Sequence, residues 1–159
     1  MPANWLIIDG NNLLHYDPRL AGLARRDFDR ARRELVQGLD QLAGRLARRV
    51  TIVFDGVGPG PGVGYDASAV EVVFSSTNLT ADSVIERLAR GAADRSSVTV
   101  VSSDRGERDS VEAGGVHSIS CRTFLEWIDE ARRRLAREVH GVRASAKKPT
   151  LGDSFPTGG

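Results

Sequence analysis

Short apolar runs rich in β-branched residues alternate with longer amphipathic stretches along this chain. Five such runs are predicted to be strands, at residues 5–8, 50–54, 70–74, 98–101 and 116–119. The first, second and fourth are almost continuously apolar, which is typical of strands covered on both faces of a parallel sheet. Glu71 interrupts the third run and favours an outer strand.

Apolar residues at helical spacing lie between these runs, at 28–46, 81–88 and 124–135. Strands that alternate with helices predict an α/β fold, a three-layer Rossmann-like sandwich around a mainly parallel sheet with right-handed crossovers. The last residues are rich in Lys, Pro, Ser, Thr and Gly and lack periodicity. We therefore expect a folded domain at 1–140 and a disordered basic tail at 141–159.

Three of the predicted strands end in an aspartate: Asp9, Asp55 and Asp104. In a parallel sheet these side chains emerge at the same edge, where ligands bind in open α/β folds. Asp9 and Asp104 become neighbours if the second half of the chain crosses to the other side of the first strand. Crowded carboxylates need a compensating cation, and Mg²⁺ or Mn²⁺ suits oxygen ligands.

Each of these acids also has a purely structural explanation. Asp9 begins Asp-Gly-Asn-Asn, which is a typical turn sequence, and Asp55 precedes a glycine in another. Asp104 followed by Glu107 matches a helix N-cap and its reciprocal partner, and capping does not prevent metal binding.

Two further acids fall on the helix predicted at 81–88. Asp82 lies in its first turn, after Asn78 or Thr80 as the cap, where a negative charge favours the helix dipole. Glu86 shares a face with Asp82 and is placed either to reach a second ion or to pair with Arg90.

Composition narrows the class of protein without deciding it. The 159 residues are 40% hydrophobic and 27% charged, with a net charge of +1, as in an ordinary globular domain. A single cysteine, Cys121, excludes an internal disulfide and a cysteine-based metal site. The sequence shows neither a secretory signal nor the roughly 18 apolar residues of a membrane helix, so we expect a cytoplasmic protein without membrane contact.

The acidic motifs, taken in order, resemble the YacP-like branch of the NYN domains, which belong to the PIN-like nuclease superfamily. They are Ile8-Asp9-Gly10-Asn11-Asn12, Phe54-Asp55-Gly56, Phe74-Ser75-Ser76 followed by Thr80-Ala81-Asp82 and Ile85-Glu86, and Ser102-Ser103-Asp104. The resemblance spans about residues 5–127. It implies the PIN-like strand order 3-2-1-4-5 and a metal-dependent endoribonuclease that uses Mg²⁺ or Mn²⁺. It also implies RNA as the partner, in mRNA decay and, for some members, at the ribosome.

The same resemblance implies roles for individual residues. The metal-binding and catalytic acids are expected to be Asp9, Asp82 and Asp104. Asn12 is expected to line the site as an amide and Ser103 to support it as a hydroxyl, beside Asp55 and Glu86. A fourth acid of the family follows shortly after the last one, and here both Glu107 and Asp109 fit its place, which leaves the number of metal ions open.

Arginines are the expected contacts to the RNA backbone. Arg105 and Arg108 lie close to Asp104, whereas Arg26, Arg30 and Arg33 are predicted to share one face of the first helix. The last helix carries another group: Arg132, Arg133, Arg134 and Arg137. Binding through phosphates weakens with salt. Because no strand pattern is rich in aromatic residues, the sequence predicts little recognition of bases.

Two other classes of function remain open on sequence grounds. A phosphatase of the haloacid type also has an aspartate after its first strand, but it needs an acid two residues later, where this chain has Asn11. A non-catalytic RNA-binding module of the same fold is the second alternative. RNA cleavage with and without a chelator separates both from a nuclease.

Overall fold

The computed structural model describes residues 3–58 and 65–147 of the chain. Within these residues five strands form one sheet in the order β3-β2-β1-β4-β5, with every neighbouring pair parallel. The strands are β1 Ala3–Asp9, β2 Ala47–Phe54, β3 Val70–Phe74, β4 Val98–Val101 and β5 His117–Ile119. The predicted α/β class, strand order and edge position of the Glu71 strand are confirmed.

Helices cover both faces of this sheet. They are α1 Gly10–Tyr16, α2 Ala21–Arg26, α3 Phe28–Leu46, α4 Ala81–Arg90, α5 Arg105–Ala113 and α6 Cys121–Lys147, and a short 3₁₀ turn at Arg95–Ser97 precedes β4. On one face Ile7 and Val100 pack with Ile85 of α4 and Val111 of α5 in a common apolar cluster. Successive strand residues point to opposite faces of the sheet, so the sheet has a second apolar face. Helix α3 packs its own apolar stripe on that face. The strand ends that carry the acids therefore lie at the edge of a sheet whose two faces are both covered by helices.

Three helices connect β1 to β2, whereas the sequence predicted a single helix between these strands. The two additional helices, α1 and α2, are short and precede α3. Asp27 ends α2 and caps α3, since its side chain accepts a hydrogen bond from the backbone N–H of Arg30 at 3.1 Å. Arg26 therefore belongs to α2, and the prediction that it shares a helix face with Arg30 and Arg33 is wrong. Aspartate favours the N-cap position over a helix interior, because its carboxylate can accept a hydrogen bond from a backbone N–H of the first turn.

The chain divides into two compact units, Met1–Ile128 and Asp129–Gly159. The first holds the sheet. In the second, α6 continues to Lys147, so residues 141–147 are helical where the sequence predicted the start of a disordered tail. Alanine and lysine in this stretch are good helix formers. Residues 148–159 lie outside the described part of the chain. Among the described helices, none has the length and apolar character needed to cross a membrane.

Candidate functional site

Asp9 stands at the junction between the central strand and the first helix. It is the last residue of β1, and its Oδ1 accepts a hydrogen bond from the backbone N–H of Asn12 at 3.2 Å, which caps α1. Only 6% of Asp9 is exposed. Asp9 therefore has both of the roles considered from the sequence: it begins the turn after β1, and it is a buried acid at the sheet edge.

Asp82 approaches the same point from the start of α4. Thr80 caps this helix by accepting a hydrogen bond from the N–H of Ser83, so Asp82 lies half-buried in the first turn, as predicted. Asp55 Oδ1 accepts a hydrogen bond from the N–H of Ala81 at 2.7 Å. Asp55 therefore fixes the first turn of α4 against the end of β2 and positions the neighbouring Asp82.

Glu107 completes a group of three acids with Asp9 and Asp82. One carboxylate oxygen from each lies within 4.8 Å of the other two. Glu107 is 3% exposed, and among the described residues neither of its oxygens meets a hydrogen-bond donor. A buried charge without a partner is strongly unfavourable, so this group needs either a proton or a cation.

The pKa values of Asp9 and Glu107 are both raised, so negative charge on these two acids is unfavourable in the metal-free protein. Burial raises the pKa of Asp9 to about 6. Burial, and then the charge of Asp9, raise the pKa of Glu107 to about 10. Two facing carboxyl groups form a hydrogen bond only by sharing a proton, and a divalent ion would replace that proton. Three carboxylate oxygens without nitrogen or sulfur are a donor set that fits a hard cation such as Mg²⁺ or Mn²⁺.

Asp104 forms the helix N-cap that the sequence predicted and lies outside the group of three acids. It is exposed, and its Oδ1 accepts a hydrogen bond from the N–H of Glu107 at 3.0 Å, which caps α5. In the described part of the chain, the compact acidic group contains Glu107 in the place expected for Asp104. The cap was predicted, but its reciprocal half is absent from the described contacts, because the Glu107 carboxylate faces Asp9 and Asp82. A direct bond from Asp104 to a metal stays a prediction.

Two consecutive asparagines connect the central strand to the strands on either side. Asn12 Oδ1 accepts hydrogen bonds from the N–H of Ser103 at 2.6 Å and from the thiol of Cys121 at 3.2 Å. Asn11 Oδ1 accepts one from the N–H of Asp55 at 3.1 Å. Burial raises the pKa of Cys121 to about 11, which keeps this thiol protonated as a donor. Asn12 and Asn11 therefore hold the loops after β4 and β2 against the end of β1.

Ser103 joins the hydrogen bonds around Asn12 through both its backbone N–H and its hydroxyl group. Its N–H binds Asn12, and its Oγ accepts a hydrogen bond from the N–H of Cys121 at 3.0 Å, at the beginning of α6. Glu86, by contrast, pairs with Arg90 at 3.0 Å on α4. Of the two alternatives weighed for Glu86, the structure shows the ion pair.

The arginines near the acidic group differ in how far they are engaged. Arg105 is exposed directly after Asp104. Arg108 is half-buried and its Nε donates to the hydroxyl of Ser118 at 3.0 Å. Arg105 is therefore better placed than Arg108 to meet a phosphate.

Arginines further from the acids are paired with carboxylates. On α3, Arg30 pairs with Glu34 at 3.1 Å and Arg33 with Asp29 at 2.8 Å. Within the second unit, one carboxylate, that of Glu130, pairs with three arginines on α6: Arg133, Arg134 and Arg137. These pairs reduce the net positive charge that either group can offer to RNA.

Comparison with known proteins assigns the chain to a family. The model of the YacP-like NYN domain matches residues 6–156. The chain belongs to the YacP-like NYN domain family. The Bacillus subtilis (strain 168) protein YacP is 30% identical over 146 residues, which cover 91% of this chain and 85% of the relative.

Solved structures show the same relationship for this YacP-like NYN domain. The crystal structure of Rae1 (YacP) from Bacillus subtilis is 29% identical with a TM-score of 0.80, and the match covers 91% of this chain and 84% of that one. A mutant form of Rae1 gives 28% identity and a TM-score of 0.75 over 94% and 88% of the two chains. NYN domains are PIN-like nuclease domains, and in this member the acids meet at the carboxyl edge of the sheet.

The sequence alone did not settle the roles of two residues in this YacP-like NYN domain, Glu107 and Asn11. Glu107 was one of two candidates for a fourth acid, and the signal that favours it is its spacing of four from Val111. These two residues form the buried face of α5, so an acid stands in an apolar helix stripe. Asn11 gave no such signal, because its contact with Asp55 joins two loops that are distant in sequence.

Proposed function

We propose that this YacP-like NYN domain is a divalent-metal-dependent endoribonuclease that hydrolyses phosphodiester bonds in mRNA or ribosome-associated RNA. The observation that carries the proposal is the buried carboxylate of Glu107, which faces Asp9 and Asp82 with no hydrogen-bond donor among the described residues. An acidic group in this state, at the ligand-binding edge of a PIN-like nuclease fold, is suited to hold a cation next to a phosphate.

In this proposal Asp9, Asp82 and Glu107 hold Mg²⁺ or Mn²⁺. When bound, such an ion lowers the pKa of a coordinated water and polarises the phosphate, so that no protein nucleophile is needed. Asn12 and Asp55 act as positioning residues, because they fix the segments that carry these acids. Asp104, exposed at the start of α5, is predicted to add a further ligand on the solvent side.

RNA is the proposed substrate, and its phosphates are expected to meet Arg105 beside the acidic group. The ribosome is a proposed further partner, and the cytoplasm is the proposed location, since mRNA turnover takes place there. Because phosphate contacts release counterions, binding is expected to weaken as the salt concentration rises.

The test is cleavage of an end-labelled single-stranded RNA with Mg²⁺ or Mn²⁺, in the presence and absence of a chelator. We expect the chelator to stop cleavage, and Glu107→Gln to reduce its rate by at least about 100-fold. Asp109→Asn is the matched control, because Asp109 is exposed on the same helix and was the other candidate for the fourth acid. It should leave the rate within about 3-fold of wild type.

Three results would contradict the proposal. Chelator-resistant RNA binding without cleavage would identify a non-catalytic RNA-binding module. Turnover of a small phosphomonoester without RNA cleavage would identify a phosphatase. If Asp109→Asn abolished cleavage while Glu107→Gln did not, the acidic group would be assigned to the wrong residue.

A further inference from the structure

Aromatic side chains from four separate segments meet at the carboxyl edge of the sheet. Phe54 and Phe74 are the last residues of β2 and β3 and are paired in register. Phe28 begins α3, which leads into the start of β2, and therefore also lies at this edge. We call the following set the aromatic–arginine cluster: Phe28, Phe54, Tyr65 and Phe74, with Arg32 and Arg33.

The inner rings of this cluster contact one another at interplanar angles of 23° to 32°. The centroid of Tyr65 lies 6.2 Å from that of Phe54 and 5.8 Å from that of Phe74, with interplanar angles of 23° and 29°. Phe54 and Phe74 are 5.8 Å apart at 32°. These separations fall in the range of interacting aromatic pairs, and because all three are similar, the ring centroids form a compact triangle.

Two guanidinium groups lie against these rings. Arg32 is 5.1 Å from the centroid of Phe28, 5.7 Å from Phe54 and 5.5 Å from Phe74, and Arg33 is 5.1 Å from Tyr65. The Nε of Arg32 is buried and has no hydrogen-bond partner among the described residues. Planar guanidinium groups stack on aromatic faces and on nucleobases alike.

The cluster lies next to Gly10, the residue that follows Asp9. Gly10 follows Asp9, and a Cβ at Gly10 would lie 2.4 Å from Cε1 of Phe54. The Phe54 ring therefore packs directly against the residue next to Asp9. At the other side of the cluster Phe28 is 38% exposed, so one aromatic side chain reaches solvent. An RNA strand bound at the acidic group would have to cross the carboxyl ends of β1 and β2 to arrive at Phe28.

We propose that the aromatic–arginine cluster is a nucleobase-stacking subsite for single-stranded RNA, with Phe28 as the ring that the base contacts. This inference rests on the proposed endoribonuclease function. No strand pattern predicted this subsite, because the rings converge from segments that are distant in sequence. Stacking tolerates every base, since each has an aromatic face, but it requires that the base is unpaired. The subsite therefore selects single-stranded RNA without selecting a sequence.

The first experiment measures binding of a fluorescein-labelled single-stranded RNA of about ten nucleotides by anisotropy, in the Glu107→Gln protein to prevent cleavage. We expect Phe28→Leu to weaken binding by about 5- to 100-fold, the usual effect of losing one stacked base. Trp127→Leu is the matched control, because Trp127 is 37% exposed and lies outside the cluster. It should change the dissociation constant by less than about 2-fold.

The second experiment uses RNAs with a single abasic site at successive positions. In the protein with Phe28, one position should weaken binding as much as Phe28→Leu does, and in the Phe28→Leu protein the same abasic site should have no further effect. Thermal unfolding of Phe28→Leu checks that the fold is kept. A fully paired RNA should bind equally to both proteins.

The outcomes separate this inference from the proposed function. If RNA is cleaved but Phe28→Leu binds as tightly as the Trp127→Leu control, the subsite is wrong and the endoribonuclease proposal stands. If the abasic effects remain unchanged in Phe28→Leu, the base is stacked elsewhere and the subsite is again wrong. If the wild-type protein neither binds nor cleaves RNA, both proposals fail.

Discussion

Replacing Glu107 by glutamine should stabilise the metal-free protein, by an amount that grows with pH. The pKa of Glu107 is raised from 4.5 to about 10 in the fold, so the folded protein keeps a proton that the unfolded chain releases. A group of this kind contributes its full stability below its unfolded pKa and loses it as the pH rises toward its folded pKa. The loss is about 1.4 kcal/mol per pH unit, or about 3 kcal/mol between pH 4.5 and pH 7.

Glutamine has nearly the same shape as glutamic acid but no charge to lose. The free energy of unfolding of Glu107→Gln should therefore match wild type near pH 4.5 and exceed it by about 3 kcal/mol at pH 7. The raised pKa of Asp9, about 6, lowers the stability of both proteins as the pH rises from 4 to 6, so it does not by itself create a difference between them. Urea unfolding of chelator-treated protein at pH 4.5, 5.5, 6.5 and 7.5 measures the difference, with Asp109→Asn as the exposed control.

Divalent metal should remove most of this difference at pH 7. Mg²⁺ or Mn²⁺ at 100 times its dissociation constant stabilises a protein by about 2.7 kcal/mol, and only a protein that binds it gains this. Wild type should gain stability and Glu107→Gln should not. The reasoning would be refuted if the metal-free variant were no more stable than wild type at pH 7, or if the difference did not change with pH.

Three further substitutions test how the site is built. Asn12→Ala removes the acceptor for the buried N–H of Ser103 and should lower the free energy of unfolding by about 1–3 kcal/mol in urea titrations; unchanged metal affinity would contradict its positioning role. Gly10→Ala places a Cβ against Phe54 and should cost about 1–3 kcal/mol, with partial rescue by Phe54→Leu in the same assay. Asp104→Asn keeps an equally good cap and should leave stability unchanged within a few tenths of a kcal/mol, while RNA cleavage falls by about 10- to 100-fold. Full cleavage activity in that variant would limit Asp104 to capping.

Features that depend on neighbouring residues were predictable from sequence, and the strand ends are the clearest example. A continuous apolar run followed by Asp9 marks both a buried strand and the edge at which its acid emerges. Helices α1 and α2 were missed because they contain only seven and six residues, too few for a helical period to stand out. The resemblance supplied the strand order, which no local pattern encodes.

The third member of the acidic group could not be fixed from sequence, because one local pattern fits two structures. Asp104 followed by Glu107 reads as a capping box, and half of that box is present. Whether the Glu107 side chain turns back to the cap or inward to Asp9 depends on how α5 lies over the sheet, which is a long-range property. The convergence of Phe28 with Tyr65 is hidden for the same reason.

Hydrogen bonds of Asp55, rather than the chain that connects β2 to α4, set the spacing between Asp9 and Asp82. Its N–H binds Asn11 and its carboxylate binds the N–H of Ala81, so hydrogen bonds lead from the end of β1 to the start of α4 without passing through residues 57–79. Insertions or deletions between Val57 and Ala69 are therefore expected to leave Asp9 and Asp82 in place. Natural variation and engineering can therefore reshape this stretch without moving these two acids.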